Sequence, residues 1–115
     1  MTSSGVRFVP WTLPEAPSEQ EAEAKLHQEG YESFRWHDVP GVEYPRHRHE
    51  YDECLWILKG EITFNIPAAA GVPSVSQTFS LKPGDRLYLP ARTAHTAIVP
   101  DAAGVTYLVG QKKSS

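Results

Sequence analysis

The sequence predicts an all-β domain, a sandwich or closed barrel, with an N-terminal arm and one short surface helix. Three observations carry this reading. After Gly30 apolar residues recur at every second position in about eight short runs with no helical stretch between them. The ten prolines and eight glycines are scattered between the runs, as corners require, and form no repeat. A chain of 115 residues, 40% hydrophobic and with mean hydropathy −0.42, fits one globular domain with a real core.

The elements follow in order. Residues 1–17 contain three prolines and no sustained periodicity, so they read as an extended arm with one short strand at Val6–Val9. Ser18-Glu19-Gln20-Glu21 is a capping box, and the helix it opens runs to Glu29 before Gly30 ends it. Glu21 and Lys25 can pair one turn apart. The apolar stripe is only Ala22 and Leu26, so the helix is expected on the surface, contributing little to the core. The strand-like runs are Tyr31–His37, Val42–His49, Glu53–Lys59, Glu61–Ile66, Val75–Leu81, Arg86–Leu89, Thr96–Val99 and Val105–Val109. Turn signals separate them at Pro40-Gly41, Glu50 to Asp52, Lys59-Gly60, Pro67 to Pro73, Pro83 to Asp85, Pro90 and Pro100 to Gly104. Ala68 to Gly71 reads as a flexible loop tip. The expected organisation is an arm and helix over 1–30, a barrel over 31–111 and a solvated tail over 112–115.

Composition excludes several classes. A net charge of −3 offers no basic surface for nucleic acid or an anionic membrane. The single cysteine, Cys54, excludes an internal disulfide framework and a CxxC site. The longest uncharged stretch, Ile62 to Leu81, is interrupted by Asn65, Pro67, Gly71 and Pro73 and reads as strand, loop, strand, not as a membrane span. No targeting segment is visible, so the expected location is cytoplasmic.

One constellation carries chemistry. His47 and His49 are two apart on a predicted strand and project to one face. Glu53 follows at the start of the next strand, and His95 comes after the turn beginning at Pro90. Three imidazoles and one carboxylate converging inside a barrel form a mixed N/O site for a divalent first-row metal. Four protein ligands leave an octahedral ion two open positions, which suits catalysis. His27 and His37 lack such company and read as surface side chains.

These residues resemble the cupin family. Gly41, five residues, His47-Arg48-His49, three residues, Glu53, six residues and Gly60 reproduce its first motif at every defined position. Gly84, five residues, Pro90 and then His95 match most of the second. Arg92 stands where the family usually has Gly, and Val99 where an Asn commonly closes the motif. The resemblance implies a double-stranded β-helix, a jelly-roll barrel with metal in its mouth. It implies His47, His49, Glu53 and His95 as ligands of one divalent ion per chain: Fe, Mn, Ni, Zn or Cu.

Alternation along the strands assigns the neighbours. Arg46 and Arg48 point away from the cavity, while Glu43 and Pro45 share the histidines' face, Glu43 as an orienting partner or a rim charge. Leu55 and Ile57 line the inner face. Trp56 and Leu58 then face outward with Cys54, on a surface that a second subunit or the arm must cover; this suggests a homodimer. Phe34, Trp36, Tyr44, Phe64, Tyr88 and Tyr107 read as core or wall aromatics, and nothing in the spacing selects Tyr88 or Arg35 for substrate contact.

The function expected is that of a small metal-dependent enzyme, a dioxygenase acting on an enolate, diol or thiol. An isomerase or lyase using a redox-inactive ion is the alternative, as is a barrel that binds a small ligand without turnover.

Overall fold

The structure, a computed structural model, describes residues 5–68 and 75–113. Its elements are β1 (Arg7–Val9), α1 (Glu19–Gln28), β2 (Glu32–Asp38), β3 (Glu43–His47), β4 (Tyr51–Lys59), β5 (Ile62–Ile66), β6 (Gln77–Leu81), β7 (Arg86–Leu89), β8 (His95–Ile98) and β9 (Val105–Lys113). They form a five-stranded sheet, β1-β7-β4-β9-β2, and a four-stranded sheet, β3-β8-β5-β6, antiparallel throughout. Two such sheets facing each other make the jelly-roll barrel that the strand pattern and the motifs imply.

The period-two pattern places the core. Leu55 and Ile57 of β4, Leu87 and Leu89 of β7 and Tyr107 and Val109 of β9 face Ile62, Phe64 and Ile66 of β5 and Ala97 of β8 between the sheets. The outer face of the five-stranded sheet is also covered. Cys54, Trp56, Tyr88 and Leu108 pack there against Ala22, Leu26 and Tyr31, with Val9, Trp11 and Leu58 at the edge.

That second layer changes two expectations. Ala22 and Leu26 are fully buried, so the thin stripe of α1 seals a hydrophobic face instead of contributing little. The cover over Trp56 comes from the chain's own helix and arm, so this face gives no reason for a second subunit. The arm is fixed by pairing of β1 with β7 and by Asp85, which accepts from Trp11 N at 2.8 Å and Lys82 N at 2.9 Å. Gly84, at φ +94°, admits the Trp11 ring, because a Cβ there would lie 2.1 Å from Trp11 Cγ. In α1 the capping box forms as expected. Glu21 is engaged by it, and Lys25 instead meets Glu29 at 3.9 Å.

Three boundaries also differ. β4 begins at Tyr51, not after a turn over residues 50–52, because Tyr51 and Asp52 pair with Lys113 and Lys112. For the same reason Lys112 and Lys113 are strand, not tail; β9 lies between β4 and β2, whose backbone groups it must satisfy. β3 stops at His47, leaving His49 on the connection to β4. The expected loop tip falls largely on residues 69–71, outside those described. No helix among the described residues is long and apolar enough to cross a membrane.

Candidate metal centre

Both sheets contribute to one end of the barrel. His47, the last residue of β3, pairs in register with His95, the first of β8, in the four-stranded sheet. Glu53 projects from β4 in the other sheet, and His49 comes from the link between the two. The donor nitrogens of His47, His49 and His95 lie within 4.8 Å of one another. Glu53 sits beside two of them: Oε1 is 3.6 Å from His95 Nε2 and Oε2 is 3.8 Å from His49 Nε2.

The local sequence explains how each ring is held. Pro45 has no N–H to give the ladder, and the β3–β8 register shifts between Tyr44 and His47. The shift reverses the simple alternation. Tyr44, not Glu43, shares the cavity with His47, and Glu43 is exposed. The freed Pro45 carbonyl accepts a hydrogen bond from His47 Nδ1 at 2.7 Å, and the Thr93 carbonyl accepts one from His95 Nδ1 at 2.8 Å. A carbonyl only accepts, so both rings carry their proton on Nδ1 and present an Nε2 lone pair. The His49 ring stacks on Tyr51, with centroids 4.8 Å apart and planes at 15°. Its backbone carbonyl accepts from Arg92 N at 2.6 Å.

Glu53 is buried, and its Oε1 has no hydrogen-bond partner. Burial pushes its carboxyl up to about 7 and holds the buried His95 down at about 4. His49 is also lowered, by burial first and then by His47. Oriented imidazoles around a buried carboxyl are the donor set that a divalent first-row ion satisfies. The residues present therefore fit a metal.

A cavity of about 240 Å³ opens onto this cluster, with Phe34, Trp36, Tyr44, Tyr51, Phe64 and Tyr107 among its walls. Sequence reasoning missed the device that orders this wall. Asp38, buried at the end of β2, accepts at Oδ1 from Trp36 Nε1 at 2.9 Å and Tyr44 OH at 2.5 Å, and at Oδ2 from Tyr107 OH at 2.7 Å. Burial, then the bond to Asp38, raises both tyrosine hydroxyls above their ordinary value. Tyr51 differs: its hydroxyl accepts from Gln111 Nε2 at 3.3 Å.

The remaining residues are quickly placed. Tyr88 lies on the other side of the sheet and donates to Glu29 at 2.7 Å, so it does not reach the cavity. Arg35 is exposed and meets Glu19 at 4.0 Å. Arg46, Arg48, His27 and His37 are exposed. Arg92 adopts φ 64°, the left-handed conformation for which the motif glycine is suited. Val99 is buried and donates its N–H to Val42 O at 2.8 Å.

A β-barrel with a histidine cluster at its mouth defines a class, and comparison with known proteins agrees. The cupin domain family matches residues 34–109, and the chain belongs to it. Among solved structures it is similar to the DMSP lyase DddQ from Ruegeria pomeroyi (26% identity, 74% of this chain and 39% of that one, TM-score 0.58). It is also similar in fold to the oxalate decarboxylase of Lactobacillus farciminis (20% identity, 73% and 24%, TM-score 0.60). A third likeness of fold is to the dTDP-4-dehydrorhamnose 3,5-epimerase of Elizabethkingia anophelis (11% identity, 96% and 70%, TM-score 0.63). The chain thus spans well under half the length of the first two. No curated protein matches the sequence.

Proposed function

We propose that this chain is a metal-dependent enzyme acting on a small organic molecule, with His47, His49, Glu53 and His95 holding one divalent ion of Fe, Mn, Ni, Zn or Cu. The observation that carries the reading is the buried, partnerless Glu53 oxygen beside imidazoles whose Nδ1 protons are tied to backbone carbonyls. A bound ion supplies Lewis acidity toward a substrate oxygen or sulfur and, when redox-active, a place for dioxygen.

The protein's own residues do the rest. The Pro45 and Thr93 carbonyls keep two imidazoles in one tautomer. The aromatic walls limit water around the reacting molecule. Tyr51 has its hydroxyl proton uncommitted while it accepts from Gln111, and it stands against His49, where it can give a proton to a bound substrate.

A dioxygenase is the reading carried by the open-position argument. A lyase or isomerase is the second reading. The likeness to a lyase at 26% identity favours it, as does the proton-bearing Tyr51 in the cavity.

The test has two parts. Protein purified without a histidine tag is expected to carry close to one divalent ion per chain, and His49→Ala to lose most of it. Full metal content in that variant overturns the ligand set. Oxygen uptake with a panel of diketones, diols and thiols identifies a dioxygenase, whereas turnover of the same panel without oxygen identifies the lyase or isomerase.

A further inference from the structure

Trp36 and Tyr107 pair with each other four residues along the strands from the level of Glu53, and this end of the cavity has a chemistry of its own. Trp36, Tyr44 and Tyr107 all line it, and all three direct their hydrogen-bonding tips onto Asp38. Phe34 adds a fourth ring, edge-on to Trp36 at 6.4 Å and 81°. Phe34 and Trp36 are half-exposed, so a ligand reaches the group from solvent. With their N–H and O–H protons spent, these side chains offer a ligand π surface and no free donor.

Charge adds an independent argument. Asp38 is 5% exposed, and no ion pair among the described residues includes it. Its three hydrogen bonds all come from uncharged donors. Among the described residues, no Lys or Arg lines the cavity. An anionic group at this end would meet a like charge and four negative ring faces. A primary ammonium would bring three donors to a wall whose best acceptor, Asp38, already accepts three of the roughly four hydrogen bonds a carboxylate can take. A quaternary onium group needs no acceptor and gains from both the rings and the field behind them.

We propose that the Phe34–Trp36–Tyr44–Tyr107 end of the cavity, backed by Asp38, is a subsite for a compact quaternary organic cation. The proposal rests on the cavity being the ligand pocket, but not on the metal. With an oxygen donor directed to the histidines, the ligand class is a dipolar molecule, onium at one end and metal-seeking oxygen at the other.

Calorimetric titration with choline and with 3,3-dimethylbutan-1-ol tests this, because the alcohol keeps the shape and replaces the charged nitrogen by carbon. Both the untagged wild type and His49→Ala are titrated, and their metal contents are measured separately. Choline is expected to bind about tenfold or more tightly than the alcohol in both proteins. Trp36→Leu keeps an apolar wall and is expected to cost choline roughly fivefold while leaving the alcohol nearly unchanged. Asp38→Asn is expected to narrow the preference between the two probes. Equal or tighter binding of the alcohol, or no binding of choline by either protein, overturns the subsite. A wild type that binds choline but carries no metal overturns the metal reading and leaves the subsite standing.

Discussion

Arg92 is held in a conformation that costs an ordinary L-residue about 1–2 kcal/mol. Its backbone N–H is needed by the His49 carbonyl, which explains why the turn keeps its shape without the motif glycine. Its side chain gains little in return, since the 3.6 Å contact with Glu50 joins two exposed groups. Glycine loses more chain entropy on folding, about 0.5–1 kcal/mol, which offsets part of the relief. Arg92→Gly is therefore expected to stabilise the protein by roughly 0.5–1 kcal/mol in urea denaturation; a loss of stability would mean the side chain matters more than its exposure suggests. Glu53 makes the opposite bargain, a buried carboxyl whose Oε1 has no hydrogen-bond partner. Glu53→Gln keeps the shape and removes the charge. It is expected to leave metal-free protein at least as stable while sharply lowering metal content; a clear destabilisation without metal loss would assign Glu53 to the fold instead. The histidines and Glu53 were legible because their spacing is itself the signal. Tyr44 reads as a wall aromatic, but its place on the histidines' face is hidden, because period-two counting assumes an unbroken ladder and Pro45 breaks it. Asp38 was not legible, because its three donors come from β2, β3 and β9.

The helix α1 shows how an element can be read correctly and weighed wrongly. Ser18 and Gly30 mark its ends in the sequence, and the structure agrees. Two buried side chains looked negligible, yet Leu26 lies fully buried against the outer face that Trp56 and Cys54 present. The outward parity of those residues was legible; what covers them depends on where the arm and helix land, which no local pattern encodes. Leu26→Ala is expected to cost about 2–5 kcal/mol of unfolding free energy. A change below about 0.5 kcal/mol would return the helix to the status of a surface attachment. The same cover predicts thiol behaviour. Cys54 is fully buried and burial pushes its thiol up to about 12, so a disulfide exchange reagent is expected to label it only on unfolding. Rapid labelling of native protein would show that α1 lifts off the sheet readily.

At the scale of the whole molecule, the feature that joins fold to function is that the donor cluster straddles both sheets. His47 and His95 belong to β3 and β8, Glu53 to β4, and two connections cross between the sheets at this end, one through His49 and one over residues 90–94 from β7 to His95. The barrel mouth is therefore tied by two chain crossings, which the Arg92 N to His49 O hydrogen bond joins, and an ion would add a link between donors of the two sheets. The hydrophobic core between the sheets leaves Glu53 Oε1 without a hydrogen-bond partner at this end. An ion bound only by the folded protein stabilises it by mass action, about 2.7 kcal/mol when present at a hundred times its dissociation constant. For a domain near this size each kcal/mol moves the melting temperature by about 4–8 °C, so stripping the ion with a chelator is expected to lower it by roughly 10 °C or more. His49→Ala should melt at nearly the same temperature with and without chelator. Wild-type protein that starts with a full complement of metal, loses it to the chelator and melts unchanged would show that the two sheets need no clamp, and that the donors serve only the bound molecule.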